Sequence, residues 1–284
     1  EIGEAAFANQ YFENTFTLPA SVKTLGDYAF VNCNAITKFI FPAGLENYGK
    51  NVFAGCTGIL DIGIAAGNTH FKVQDGVLYN FEMTKAIMCP SGRRDPVTIP
   101  AGVTELADYA FYMCDNLLEY NLPNTLQRIG VECFAHTYDL RNFVIPNSVT
   151  EMGHNAFDLS GVTNITIGTG LTELPEEAFI ETKISSVNIP GNIKKIGNGA
   201  FSLCYSLSTL TLNEGLEEIN SYPGPFFILT PLMNLSNLKK IVIPSTLKNL
   251  PRDALFGNAK LEEIVLKCKL SKIEQRTFSD CSSL

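Results

Sequence analysis

The sequence predicts a solenoid of stacked coils with a parallel sheet along one side, and three observations carry that prediction. First, an apolar strand-like segment recurs, as in residues 36–42, 140–146 and 238–244, each ending in Pro. Second, its last apolar residue returns at Leu18, Phe41, Ile64, Ile99, Leu122, Ile145, Ile167, Ile189, Leu212, Ile243 and Leu266, at intervals of 23, 23, 35, 23, 23, 22, 22, 23, 31 and 23 residues. Third, nearly every interval closes on an Ala-Phe or Val-Phe pair, such as Ala29-Phe30, Val52-Phe53 and Ala200-Phe201. Self-similarity at a fixed spacing of 22 or 23 residues is the period of a repeat architecture.

Each element of one coil follows from its residues. Phe39 and Phe41 are two apart and share a face of an extended strand, while Lys38 and Ile40 face the other way. Pro42 ends the strand because it lacks an N–H, and Ala43-Gly44 turns the chain. Apolar residues three apart resume from Leu45 to Tyr48, Gly49 opens a short turn, and Phe53 plugs the next layer. The same frame fits residues 22–30, 103–111, 126–134, 149–157, 171–179, 193–201 and 270–278. These connections are expected to be short helical or 3₁₀ turns opposite the sheet. All eleven strand-ending residues are expected to be buried in one parallel sheet.

The organisation expected is one solenoid over residues 1–284, because each coil buries its apolar face only against its neighbours. Two intervals are longer: 35 is 23 plus 12, and 31 is 23 plus 8. The first is read as a hairpin-type insertion coil over residues 65–98, with a turn at Asp75-Gly76. The second is an apolar insertion over residues 220–237, in which one Phe is expected to take the plug position. Both ends of the sequence fall within a coil and show no polar cap, so the chain is expected to be a piece of a longer protein.

The frame L-x-x-I-x-I-P-x-x-V-x-x-I-G-x-x-A-F-x-x-C resembles the BspA-type leucine-rich repeat. Leu207, Leu210 and Leu212 match one half of it, and Ile196, Gly197, Ala200, Phe201 and Cys204 match the other. Residues 71–80 and 84–92 resemble an accessory module of that family. The resemblance covers essentially the whole chain. It implies a leucine-rich-repeat solenoid from a secreted or cell-surface protein of a host-associated microbe, with adhesion or binding to a host or matrix protein or glycan, and no cofactor.

Composition narrows the function. A net charge of -8 and a pI near 5.0 argue against nucleic acid, which calls for clustered Lys and Arg. No apolar run reaches the ~18–20 residues of a bilayer-spanning helix. Cys33, Cys56, Cys114, Cys204 and Cys281 each stand three residues after a plug, a slot that Thr137 and Ser160 fill elsewhere. A packed column explains that spacing better than metal binding or redox chemistry, and a Cys33–Cys56 disulfide is the functional alternative. His70, His136 and His154 fall in different slots, and no nucleophile elbow, phosphate loop or zinc motif occurs. Catalytic and metal residues are therefore assigned to none.

Three functions remain: a non-enzymatic binding module, a structural spacer, and a hydrolase acting from an irregular coil. Exposed apolar side chains favour the first and a uniform polar surface the second. The candidate binding residues are Tyr222, Phe226, Phe227, Leu229 and Leu232 in the apolar insertion, with Tyr79 and Phe81 in the hairpin coil. In successive coils Glu105, Arg128 and Glu151, then Glu173, Lys195 and Glu218, are expected to form charge pairs.

Overall fold

The computed structural model describes residues 1–220 and 229–284, in two compact units, Glu1–Leu140 and Arg141–Leu284. Each unit is a stack of coils, and each coil contributes one strand to a main parallel ladder. In the first unit Asn14–Thr17, Ile36–Phe41 and Asp61–Ile64 pair in parallel, and Val97–Thr98 pairs with Tyr120–Asn121. In the second, Asn142–Val144, Asn164–Thr166, Ser186–Ile189 and Thr209–Leu212 form one ladder, and Lys240–Ile243 pairs with Glu263–Leu266. A narrower second ladder runs through two-residue strands such as Glu105–Leu106 and Arg128–Ile129, or Glu173–Leu174, Lys195–Ile196 and Glu218–Ile219.

The expectation of one continuous sheet is corrected to several ladders. Of the eleven strand-ending residues, Phe41, Ile99, Ile145, Ile167, Ile189, Leu212 and Ile243 are buried; Leu18, Ile64 and Leu122 are half-buried. Leu266 is exposed, since Glu263–Leu266 pairs on one side only among the described residues.

Opposite the sheet, the connections are turns rather than helices among the described residues, and the backbone shows why. Around the Phe plugs and Leu255 the residues two before and two after the plug lie at positive φ, as Tyr28 (57°) and Asn32 (60°) do around Phe30. Left-handed residues alternating with right-handed ones cannot propagate a helix. What they do instead is aim alternate N–H groups along the stack. Tyr28, Phe30 and Asn32 donate to the carbonyls of Lys50, Val52 and Ala54 one coil on, at 2.8–2.9 Å. The intervening Ala29, Val31 and Cys33 donate back within their own coil. The coils with plugs Phe7, Phe111, Phe157, Phe179 and Leu255 repeat the same three forward bonds. All six N–H groups from Tyr28 to Cys33 thereby find a carbonyl, as burial demands.

The plugs form columns. Phe7, Phe30 and Phe53 stack at centroid separations of 5.1 and 5.3 Å, Phe111 and Phe134 at 5.2 Å, and Phe157, Phe179 and Phe201 at 5.3 Å each. After Phe201 the plug is Leu232, not a Phe: Phe201 donates its N–H to Pro231, and Leu232 is fully buried. The cysteine slot is a hydrogen-bond cap. Cys33, Cys56, Cys204 and Cys281 aim their thiols at the plug carbonyl one coil back, at 3.0, 2.9, 3.0 and 3.2 Å. Asn258 does the same with its amide, and Thr137 and Thr182 bond their own plug carbonyl. Cys33 and Cys56 are free thiols, so the disulfide alternative falls.

Candidate functional site

The insertion coil is where the regular pattern breaks. Asp75 and Gly76, at φ 46° and 68°, turn Phe71–Gln74 back against Val77–Asn80 as an antiparallel hairpin. Val77–Asn80 pairs in turn with Lys85–Met88, which enters the second ladder beside Glu105–Leu106. From Ala86 a regular coil would need five residues to reach its plug. Here three suffice: Cys89 donates its N–H to Ala110, the carbonyl that a plug N–H would reach, at 2.8 Å. The thiol of Cys114 then lies 3.7 Å from the carbonyl of Cys89, as slot thiols elsewhere lie against plug carbonyls. Cys89 therefore has the backbone place of a plug without its ring.

That shortcut leaves a cavity of about 520 Å³ between residues 48–54 and the later segments 87–91 and 107–112. Tyr48, Phe53, Phe71, Ile87 and Met88 give it apolar walls, and Lys50, Lys85, Asp27 and Asp108 give it charged ones. Its size lies in the range of ~300–1,000 Å³ common to ligand sites. Asp27 accepts the Lys50 N–H at 2.8 Å, and Lys85 pairs with Glu105 at 2.8 Å. Burial works to raise the Asp108 carboxyl, yet bonds from Arg128 and the Val131 N–H hold it below the usual carboxylate range.

Beside the cavity runs a stripe of rings. Tyr109 and Tyr112 line the cavity and meet edge-on at 5.9 Å. Tyr112 meets His136 at 5.3 Å, and His136 meets Tyr138 at 6.0 Å, with its Nδ1 2.9 Å from the Tyr138 hydroxyl. Tyr138 is 43% exposed. Burial and the nearby Glu132 push the Tyr109 phenol up to about 12.

The residues singled out from sequence are distributed differently. Tyr79 is fully buried, because Val77, Leu78 and Tyr79 are all covered in a strand enclosed on both faces. Leu232 is fully buried as a plug. Neither offers a side chain to a partner, which corrects the expectation that they are exposed. Phe81 is 38% exposed, with Lys72 Nζ 4.2 Å above its ring, and Leu229 is half-buried. Tyr222, Phe226 and Phe227 lie outside the described residues. The structure does not gather this set into one site. The cavity was hidden from sequence because interval arithmetic does not say which residue of a longer coil assumes the plug position. The stripe was legible in principle: Tyr109, Tyr112, His136 and Tyr138 occupy outward positions around consecutive plugs.

The second unit presents a contrasting surface. Outward positions of its four-stranded ladder are short and mostly polar, Asn142, Asn164, Thr166, Ser186, Asn188, Thr209 and Thr211, with Val144 the apolar exception. They bond one another, as Asn164 donates to Asn142 at 2.9 Å. Of the charge pairs expected, Arg128 meets Glu105 at 2.9 Å and Lys195 meets Glu173 at 4.0 Å. Lys195 and Glu218 stand opposite each other in the second ladder, with the Asn220 amide beside both.

The BspA-type leucine-rich repeat region model matches the chain over residues 1–94, 91–161, 129–224 and 230–284. No curated protein matches it. Among solved structures, a leucine-rich repeat protein from Eubacterium ventriosum is 19% identical at a TM-score of 0.71, over 92% of this chain and 67% of that one. A leucine-rich repeat protein from Bacteroides ovatus is 22% identical at 0.65, over 95% and 73%. The pneumococcal vaccine antigen PcpA is 22% identical at 0.53; 91% of this chain matches about half of it, 52%. At these identities the likeness is one of fold.

Proposed function

The chain belongs to the BspA-type leucine-rich repeat family, and we propose that it is a non-enzymatic binding module of a cell-surface or secreted protein, recognising a host or matrix protein or glycan. The observation that carries this reading is the stripe Tyr109–Tyr112–His136–Tyr138, with partly exposed rings in edge contact on the turn side of the first unit. Aromatic side chains are enriched at recognition surfaces, where they bring large contact area at small entropic cost. A spacer calls only for a self-satisfied polar surface, and nothing in a spacer requires four rings on an exposed arc. The vaccine-antigen status of PcpA, a neighbour in fold, is in keeping with surface display.

The test is a binding screen of the purified chain against matrix proteins and glycans, repeated with Tyr112→Ser/Tyr138→Ser. The reading expects a saturable partner whose affinity drops at least about tenfold in the double variant, roughly 1.4 kcal/mol. Equal binding by both proteins, at equal melting temperature, rejects the stripe.

A further inference from the structure

Along the arc that faces the cavity, the backbone donors have lost their acceptors. Asn51, Phe53 and Gly55 are the residues equivalent to Tyr28, Phe30 and Asn32, with Asn51 and Gly55 at φ 48° and 73°. Their N–H groups make no hydrogen bond among the described residues, whereas the equivalent three reach carbonyls one coil on at 2.8–2.9 Å. Across the cavity the carbonyl of Asp108 receives no N–H, although its counterparts Lys50, Val131 and Glu176 each receive one. Ser91, 5% exposed and lining the same cavity, has a buried hydroxyl without a partner. Finally, the ring column stops after Phe53, since Cys89 fills the next plug place with a small side chain.

We propose that this slot receives an extended peptide segment of a partner protein, which runs its backbone through the cavity between residues 48–54 and 87–91 and sets one large apolar side chain into the space that the small Cys89 side chain leaves unfilled. The proposal deepens the binding reading above and rests on it. The geometry selects a peptide over a small anion because the three bare donors stand on alternate residues. An anion meets one or two neighbouring N–H groups, while a chain presents a carbonyl at every second residue, the spacing that the regular arcs use. Strand addition of this kind draws affinity from main-chain bonds and specificity from the side-chain pocket. Here the pocket is Tyr48, Phe53, Phe71, Ile87 and Met88, which fits an aromatic or leucine-like anchor. Unpaired buried donors are unfavourable, so an occupant that pairs them gains more than contact area alone.

The probe is a capped peptide with the sequence of residues 193–204, a regular arc that carries its own plug at Phe201, with Ser in place of Cys204. It is titrated into the full chain while amide signals and hydrogen exchange are followed. The expected result is saturable shifts at Asn51, Phe53, Gly55 and Ser91, and exchange at the first three slowed at least about tenfold. A second peptide carrying Phe201→Asp is expected to bind at least about tenfold more weakly. The Cys89→Phe protein, whose own ring fills the plug place, is expected to lose the shifts. Unmoved amides at these positions at millimolar peptide, or equal binding by the two peptides, overturns the proposal; both readouts use the wild-type fold. If the peptide fails while binding that depends on Tyr112 and Tyr138 persists, the binding reading stands and the slot falls.

Discussion

The coils around Phe157, Phe179 and Phe201 and the coil over residues 65–98 solve the same stacking problem with different completeness. In the former, rings stand at 5.3 Å spacing, and the alternate donors Asn155, Phe157, Leu159, Glu177, Phe179 and Glu181 each reach a carbonyl one coil on. In the latter, a hairpin covers the core from behind with Phe71, Leu78 and Met88, yet only Cys89 joins the forward pattern. The difference teaches that the apolar core and the hydrogen-bonded arc are separable. An insertion can keep the first intact while it opens the second, and the opening is where a binding site can form without unfolding its neighbours.

The largest expected effect is at a regular plug. Phe179→Ala removes a fully buried ring with a ring on each side, and should cost ~3–5 kcal/mol in urea unfolding. Phe53→Ala, with one side of its ring toward the cavity, should cost visibly less than Phe179→Ala. Equal losses would erase the distinction between the two kinds of coil.

The slot thiols give a prediction in pH. Burial pushes Cys56 up to about 12 and Cys204 up to about 11, from 9.0. A thiol whose folded value is raised contributes stability that is complete below 9.0 and is lost as pH rises through the folded values. Chemical denaturation should show midpoints falling between pH 9 and 12, and Cys204→Thr should lessen that fall, since Thr182 and Thr137 already occupy the slot. A midpoint flat over this range would mean that the thiols are less enclosed than their contacts imply.

How far sequence reading reached can be judged from single residues. Phe30, Phe111 and Phe201 announced themselves by the period, since each closes an identical frame and each is fully buried. The conformation of the arcs did not follow, because residues as unlike as Tyr28, Glu132, His136 and Leu203 occupy left-handed positions. Position in the stack selects that backbone there, and side-chain type does not. Tyr79 misled because its place in a hairpin beside Asp75-Gly76 suggests exposure, while the strand Val77–Asn80 is central to its sheet and buried on both faces. Leu232 misled because a Phe was expected where the coil accepts any large apolar plug.

A smaller effect attends the charges. Arg128→Glu sets another carboxylate beside Glu105 and Asp108, at partly exposed sites 2.9 and 2.8 Å from the two terminal nitrogens of the lost guanidinium. The loss should be about 1 kcal/mol at low salt and should shrink as salt screens the repulsion. The smallest effect belongs to the backbone. Met113→Gly relieves a left-handed residue at φ 57°, and the gain should be a few tenths to ~1 kcal/mol, because glycine's larger unfolded freedom offsets part of it.

The central claim is that the arc over residues 50–55 is open, and amide hydrogen exchange of the free protein tests it most directly. Asn51, Phe53 and Gly55 should exchange at least about tenfold faster than Tyr28, Phe30 and Asn32, their bonded equivalents one coil earlier. Equal protection of the two triplets would show that the arc is already closed, and would contradict the account.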